Sequence, residues 1–392
     1  MSFRKIDNIP VWGEVFDEAL SQIKNCAKNA QKCALMADHH VGYAVPIGGV
    51  IAYKDKVSPS GVGYDIACGN KAVRLDVPAD EAKKNIKQIM DDIFKTLSFG
   101  VGMKNNEHTD HALFDDDPAW ALDVMKKGQL KKLAAQQLGT IGSGNHYVDV
   151  FVDEQDRVWI GVHFGSRGLG HRLATHFIRE GGGKDGMNVD PVLLNIKSQL
   201  GQDYIACMKL AGRYAYAGRD WVCARVAKLL NARILEEVHN HHNYAWQEEH
   251  FGEKYWVIRK GATPAFPGQK GFVGGSMGDI SVIIEGVDSN DSKEALYSSV
   301  HGAGRVMSRT QAAGRVYRGR RSGGIITKSM MKDWIKAKGV ELRGAGTDES
   351  PHCYKRLPQV LEYHKGTIKI LHTLEPIGVA MAGEDEFDPY KD

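Results

Sequence analysis

Trp159-Ile160-Gly161-Val162-His163-Phe164-Gly165-Ser166-Arg167-Gly168-Leu169-Gly170 is the stretch on which the reading of this chain turns. An apolar run of strand character delivers His163 to its end. A glycine loop follows, whose backbone N–H groups can cradle phosphate oxygens and whose Arg167 can clamp them in bidentate fashion. The same arrangement occurs just upstream, where Gly142-Ser143-Gly144-Asn145-His146-Tyr147-Val148-Asp149 passes from a glycine turn into an alternating strand. Further strand-like segments fall at 49–53, 145–152, 158–163, 255–259, 280–284 and 367–372, several beside glycine-rich turns. Helical spacing of apolar residues covers 14–37, and a second helical block covers 203–250, with a bend expected at Gly212 and Gly218 because glycine is a poor helix former. These segments predict a mixed α+β fold. One mixed domain is expected over 1–383, followed by an acidic tail at 384–392.

Composition bounds the function. The 392 residues are 42% hydrophobic and 25% charged, with a net charge of +3, so no general basic coat exists and a polyanion must be held by a local patch. The six cysteines are scattered, without a CxxC pair or the spacing of a disulfide scaffold. The opening Met-Ser-Phe-Arg-Lys-Ile-Asp lacks the apolar core of a secretory leader, and no run approaches the ~18 apolar residues of a membrane span. A reducing, cytoplasmic setting is the expectation, in which a cysteine among histidines is better explained by metal binding or reactivity than by a disulfide.

Gly61-Val62-Gly63-Tyr64-Asp65-Ile66-Ala67-Cys68-Gly69 sets a carboxylate and a thiol three residues apart in a glycine-flanked turn. That pair is a mixed hard and soft donor set suited to a divalent transition metal, although a buried structural cysteine beside a turn aspartate fits the local pattern equally well. His239-Asn240-His241-His242-Asn243-Tyr244 offers three histidines in four positions near the end of the second helical block, of which at most one or two can face a site. His171, His176, His250 and His352 read as surface or packing residues. Gly274-Gly275-Ser276-Met277-Gly278 with Ser281 offers hydroxyls and backbone donors to a nucleotide. In His301-Gly302-Ala303-Gly304-Arg305 an imidazole stands among small residues beside a cation. A neutral imidazole so exposed is a nucleophile for phosphorus, and Arg305 is placed to neutralise a phosphate.

Five of these stretches, GVGYDIACG, GSGNH, HFGSRGLG, GGSMG and HGAGR, follow one another in the order found in the RtcB family of RNA ligases, which the chain resembles over nearly its whole length. The resemblance implies an RtcB-type fold and a site with two manganese ions, bridged by Cys68 and otherwise held by Asp65, His146, His163 and His242. It implies that His301 takes GMP from GTP. Asn145, Asp149, Ser276, Ser281 and Tyr354 would line the guanylate pocket, with Arg167 and Arg305 on phosphates. The implied activity joins an RNA 3′-phosphate or 2′,3′-cyclic phosphate to a 5′-hydroxyl in RNA repair or tRNA splicing, and it leaves room for an activating protein partner. Three positions depart from the family's usual pattern: Ala67 stands where asparagine is common, Asp149 where glutamate is, and Ala382 where members carry the lysine of a closing Lys-Gly pair. Two other functions compete. One is a metal-dependent cyclic phosphodiesterase or phosphatase acting on RNA ends without guanylate. The other is an RNA-binding repair subunit using Arg315, Arg318, Arg320 and Arg321 around Tyr317.

Overall fold

Strand Arg157–Phe164 shows how the sequence builds its sheet. Val158, Ile160, Val162 and Phe164 enter one apolar cluster with Val148, Val150 and Val152 of the neighbouring strand Tyr147–Asp153. Trp159 points the other way, into a cluster with Phe151 and Phe272. This is the period-two alternation of a strand with both faces covered, which is why the run reads as almost continuously apolar. Gly161 lies beneath the edge-to-face pair of Phe151 and Phe272, where a Cβ would come within 2.7 Å and 2.8 Å of their rings.

The computed structural model describes residues 3–317 and 320–384, which form a mixed α+β fold around two large sheets. The larger sheet runs Ile234–His241, Gly69–Pro78, Arg157–Phe164, Tyr147–Asp153, Ile368–Gly383, Ser281–Gly286, Lys270–Val273, with Glu341–Ala345 added in parallel to Ile368–Gly383. The other runs Phe3–Ile6, Ile9–Trp12, Lys32–His40, Ile47–Tyr53, Glu253–Lys260, Asn243–His250. Helix Gln199–Leu229 packs on Gly69–Pro78 and Arg157–Phe164 and joins two cores, burying Tyr204, Leu210 and Tyr214 in one and Val222, Cys223 and Val226 in the other. Each such side chain contributes roughly 1.5–3 kcal/mol on burial, so this helix is a main source of cohesion.

The α+β expectation holds, and two helical assignments do not. Over 14–37 the helix is only Asp17–Ala27, and Lys32–His40 is a strand paired with Ile47–Tyr53. Its small residues, Cys33, Ala34 and Ala37, extend a helical stripe as readily as they fill a strand buried on both faces. Over 203–250 the helix ends at Leu229 and is followed by strands Ile234–His241 and Asn243–His250. The helix also continues unbroken through Gly212 and Gly218. A Cβ at those positions would lie 2.9 Å from the Tyr244 ring and 3.3 Å from the Phe164 ring, so close packing offsets the ~1 kcal/mol propensity cost of each glycine.

Register decides where the chemistry goes. Gly69 pairs with both Phe164 and His241, while Tyr147 pairs with both His163 and Met381. The residues immediately flanking these strand ends are therefore gathered at one edge of the sheet: Cys68, His146, His163 and His242. Of the arginine cluster expected to hold RNA, Arg315 is exposed, whereas Arg318 and the side chains of Tyr317, Arg320 and Arg321 lie outside the described residues, as do 385–392 of the acidic tail.

Candidate active site

The Asp65–Cys68 turn closes through the Cys68 N–H, which donates to Asp65 O at 3.0 Å, with Ala67 in the left-handed region at φ 59°. Gly165 is what allows the next strand end to approach, since a Cβ there would collide with the Asp65 carboxylate. Cys68 Sγ then lies 3.4 Å from His163 Nε2 and 3.8 Å from His146 Nε2, and His146 Nε2 lies 3.1 Å from Asp65 Oδ2. The rings of His163 and His242 are 5.1 Å apart, and those of His242 and His301 4.9 Å.

A hydrogen bond on the far ring nitrogen assigns the His163 tautomer. His163 Nδ1 donates to Asn70 Oδ1 at 2.7 Å, and Asn70 stands directly across the ladder from it. His146 Nδ1 lies 2.9 Å from Ile141 O and 3.1 Å from Arg167 Nη1. The His163 Nε2 lone pair is thus presented toward Cys68, the arrangement by which an outer hydrogen bond orients a metal-binding imidazole. His242 Nδ1 is buried and has no hydrogen-bond partner among the described residues. One thiolate, three imidazoles and one carboxylate, with an orphaned ring nitrogen among them, fit divalent transition-metal ions. The ligand atoms of Cys68, His146 and His163 all lie within 4.8 Å of one another. Burial pushes the Cys68 thiol up, and Asp65 pushes it further. Burial pushes Asp65 up too, but hydrogen bonding and charge from His146, with Arg167, outweigh it and hold the carboxyl at about 2.

His301 follows strand Ser298–Val300, which pairs with Ala262–Pro264 beside His242. Its Nδ1 donates to Asp38 Oδ2 at 2.6 Å, leaving the Nε2 lone pair free. Asp38 comes from the other sheet, on strand Lys32–His40, and had no local signal in the sequence beyond being a polar residue at the end of an apolar run. His301 and the four His and Cys side chains at the sheet edge line one cavity of about 880 Å³.

Asn145, Asp149, Arg167, Ser276, Arg305 and Tyr354 line the same cavity. Ser281 does not; its Oγ accepts the Gly275 N–H at 3.0 Å and supports the glycine turn from behind. Arg305 and Tyr354 are brought together, with Arg305 Nη1 2.9 Å from Tyr354 Oη, and Tyr354 donates to Glu349. Glu349 also binds Arg309 at 3.0 Å; the sequence reading missed both residues. Ser276 Oγ and Asp149 Oδ1 are buried without hydrogen-bond partners among the described residues. Burial drives the Asp149 carboxyl well above the carboxylate range, only partly offset by the backbone of Ala380. Val379 and Met381 face the cavity, whereas Ala382 lies with Ala380 and Val148 in the apolar cluster on the other side of the sheet.

Arg219 is the residue most thoroughly hidden from sequence reasoning. It is fully buried, and its Nη1 donates to the carbonyls of Ala67 at 3.1 Å and Phe164 at 2.5 Å. It also donates from Nε to His239 Nε2 at 2.8 Å, and its Nη2 lies 2.9 Å from His241 Nδ1. His239 and His241 are therefore not a solvated face: they alternate along a strand and carry Arg219, while His242 turns to the cavity. His171, read as a surface or packing residue, lines the cavity as well.

A family model described as tRNA-splicing ligase RtcB matches residues 20–382. The tRNA-splicing ligase RtcB of Thermococcus kodakarensis is 33% identical, with 88% of this chain and 86% of the relative aligned. The RNA-splicing ligase RtcB of Escherichia coli K12 is 30% identical over 92% of this chain and 93% of its own, and the tRNA-splicing ligase RtcB of Archaeoglobus fulgidus is 31% identical over 88% and 86%. The family match thus runs from the first helix to the last strand and takes in Asp38 and every residue that lines the cavity, from His40 to Met381; the chain belongs to the RtcB family.

Proposed function

We propose that this protein is an RNA ligase that joins 3′-phosphate or 2′,3′-cyclic phosphate ends to 5′-hydroxyl ends, using GTP and two manganese ions. The relatives' names as RNA- and tRNA-splicing ligases support the ligase reading. The observation that carries the mechanism is the Asp38–His301 pair, which keeps the proton on Nδ1 and a lone pair on Nε2 inside the cavity. In this scheme His301 Nε2 attacks the α-phosphorus of GTP, a P–N bond forms and pyrophosphate leaves. An oxygen of the RNA 3′-phosphate next displaces His301, so that GMP caps the RNA end. The 5′-hydroxyl then attacks the 3′ phosphorus, forming the phosphodiester and releasing GMP; a cyclic phosphate is first opened by water.

Asp65, Cys68, His146, His163 and His242 would hold the two ions, which when bound polarise phosphate oxygens and offset developing charge. Arg167 and Arg305 would take phosphates, and Asn145, Asp149, Ser276 and Tyr354 the nucleoside, with Ser281 shaping the turn beneath it. Residues 1–383 would form one ligase domain. The six cysteines are all free and buried, which suits a reducing compartment such as the cytoplasm. Among the described residues no helix is long and apolar enough to cross a membrane.

Incubation with α-labelled nucleotides and Mn²⁺, followed by a 3′-phosphate/5′-hydroxyl RNA pair, tests the reading. Label on the wild type but not on His301→Ala, and joined RNA, are the expected results. Opening of a cyclic phosphate without GTP, and no joining with it, would identify a phosphodiesterase instead. RNA binding with neither activity would identify a repair-complex subunit. The same assay with and without cell extract reports an activating protein partner.

A further inference from the structure

We infer that one arm of the cavity, floored by Tyr64 and His171, is a stacking platform for a nucleobase at a single-stranded RNA end. The inference rests on the RNA-end reading above and adds to it the place where a base is gripped. A cavity of about 880 Å³ is near the upper end for a small-molecule site, typically ~300–1,000 Å³, so there is room beyond the nucleotide.

Tyr64 immediately precedes Asp65. Its ring stacks on that of His171, with centroids 5.2 Å apart and planes 27° apart, and Tyr43 meets it edge-on at 6.0 Å. All three side chains line the cavity and remain half-buried; Tyr64 also packs against the large apolar cluster, which steadies its ring while leaving part of it open to the cavity. The Tyr64 hydroxyl is hydrogen-bonded to Asp185, which fixes the ring by its edge.

Helix Arg167–Glu180 supplies the rest. Arg167, His171 and Thr175 recur every four residues on one face of it, and all three line the cavity together with the exposed Arg172. A cation one turn from a stacked aromatic pair is the combination that holds single strands: the base stacks on the π-face and the guanidinium takes the adjacent phosphate. A base on Tyr64 places the phosphate of the same nucleotide next to Asp65. Stacking reads no hydrogen-bond pattern, so the platform accepts any base.

The test uses the full chain without any nucleoside triphosphate. Two RNA oligonucleotides each carry one 5-iodouridine, either at a 3′-phosphorylated end or at a 5′-hydroxyl end. Ultraviolet crosslinking to a peptide containing Tyr64 or His171 is expected, and which oligonucleotide reacts identifies the end. His171→Ala should weaken binding of the reactive oligonucleotide roughly tenfold, and His171→Phe should restore it to within about twofold, since the phenyl ring still stacks. Arg172→Ala should flatten the salt dependence of binding. Crosslinks confined to other peptides, or His171→Ala binding as tightly as the wild type, would overturn the platform. Label transfer from GTP to His301 is scored separately, so a silent ligase and a wrong platform give different results.

Discussion

Asp38 and His301 meet through a single oxygen. Asp38 Oδ2 accepts from the His301 ring at 2.6 Å, from the His301 backbone N–H at 2.9 Å and from the Gly302 N–H at 3.2 Å. Burial pushes the Asp38 carboxyl up, but the adjacent His301 ring and backbone N–H outweigh it and hold it below its ordinary range. The carboxylate therefore orients the ring and fixes its tautomer, as the acid of a hydrolase triad does. Asp38→Asn should cut label transfer to His301 by at least ~10²-fold with metal content unchanged. Transfer at wild-type rate would show that the ring needs no anchor.

Cys68 Sγ lies within 4 Å of both His146 and His163, and in the proposed scheme its thiolate would bridge the two ions. Cys68→Ala should emerge from dialysis with less metal per chain than the wild type, measured by elemental analysis. His301→Ala should retain it in full. Two ions still bound to Cys68→Ala would contradict the bridging role.

Arg219 ties the turn bearing Cys68 to the strand end bearing His163 through the carbonyls of Ala67 and Phe164. Arg219→Ala leaves those carbonyls and two imidazoles without their donor, at a cost of about 3 kcal/mol or more in stability. Arg219→Lys keeps the charge but not the fork. It should fold, melt a few degrees lower and hold metal more weakly, as read by scanning calorimetry and competition with a chelator.

Asp149 is short, buried and driven toward its protonated form, and Ala382 offers nothing to the cavity. A neutral carboxyl is both donor and acceptor, and an amide reproduces that pair. Asp149→Asn should keep label transfer within about tenfold of wild type, whereas Asp149→Ala should lose the preference between GTP and ATP. An unchanged preference in Asp149→Ala would place base selection elsewhere.

Stability should fall in mild acid. Burial depresses His364 to about 4, and burial together with Lys355 depresses His39 to about 4. Below an unfolded value of ~6.5 the unfolded chain takes up protons that the folded chain refuses. Each group's stabilisation is thus present above pH ~6.5 and is lost as pH drops toward 4, by up to about 3 kcal/mol. His364 accepts the Ala37 N–H at 3.2 Å and contacts Thr367 Oγ1 at 3.0 Å, so His364→Gln preserves a partner while removing the titration. Urea midpoints at pH 7 and pH 4.5 should differ less for this variant than for the wild type.

The candidate site was legible in sequence wherever a side chain had to stand at a strand end beside a tight turn, because glycine marks those turns. Cys68, His146, His163 and His301 all announced themselves in that way. What stayed hidden acts across the fold. Asp38 is 263 residues from His301 in sequence. Arg219 lies in the middle of a helix whose glycines look like breaks, yet serve to seat Tyr244 and Phe164. His239 and His241 were misplaced because a strand read as the end of a helix gives no alternation. The end of the second helical block failed because its two strands are fixed by pairing, Ile234–His241 with Gly69–Pro78 and Asn243–His250 with Glu253–Lys260.

Strand Ile368–Gly383 pairs with three neighbours and brings Val379 and Met381 to the cavity, whose first contributor in sequence is His40. Nearly the whole chain must therefore be made before the cavity has all its walls. During synthesis a ribosome-bound fragment would already carry the Asp65–Cys68 turn and the histidines, but not the strand that joins Tyr147–Asp153 to Ser281–Gly286. A product lacking this strand would want two of the cavity's wall residues, and its larger sheet would be split between Tyr147–Asp153 and Ser281–Gly286.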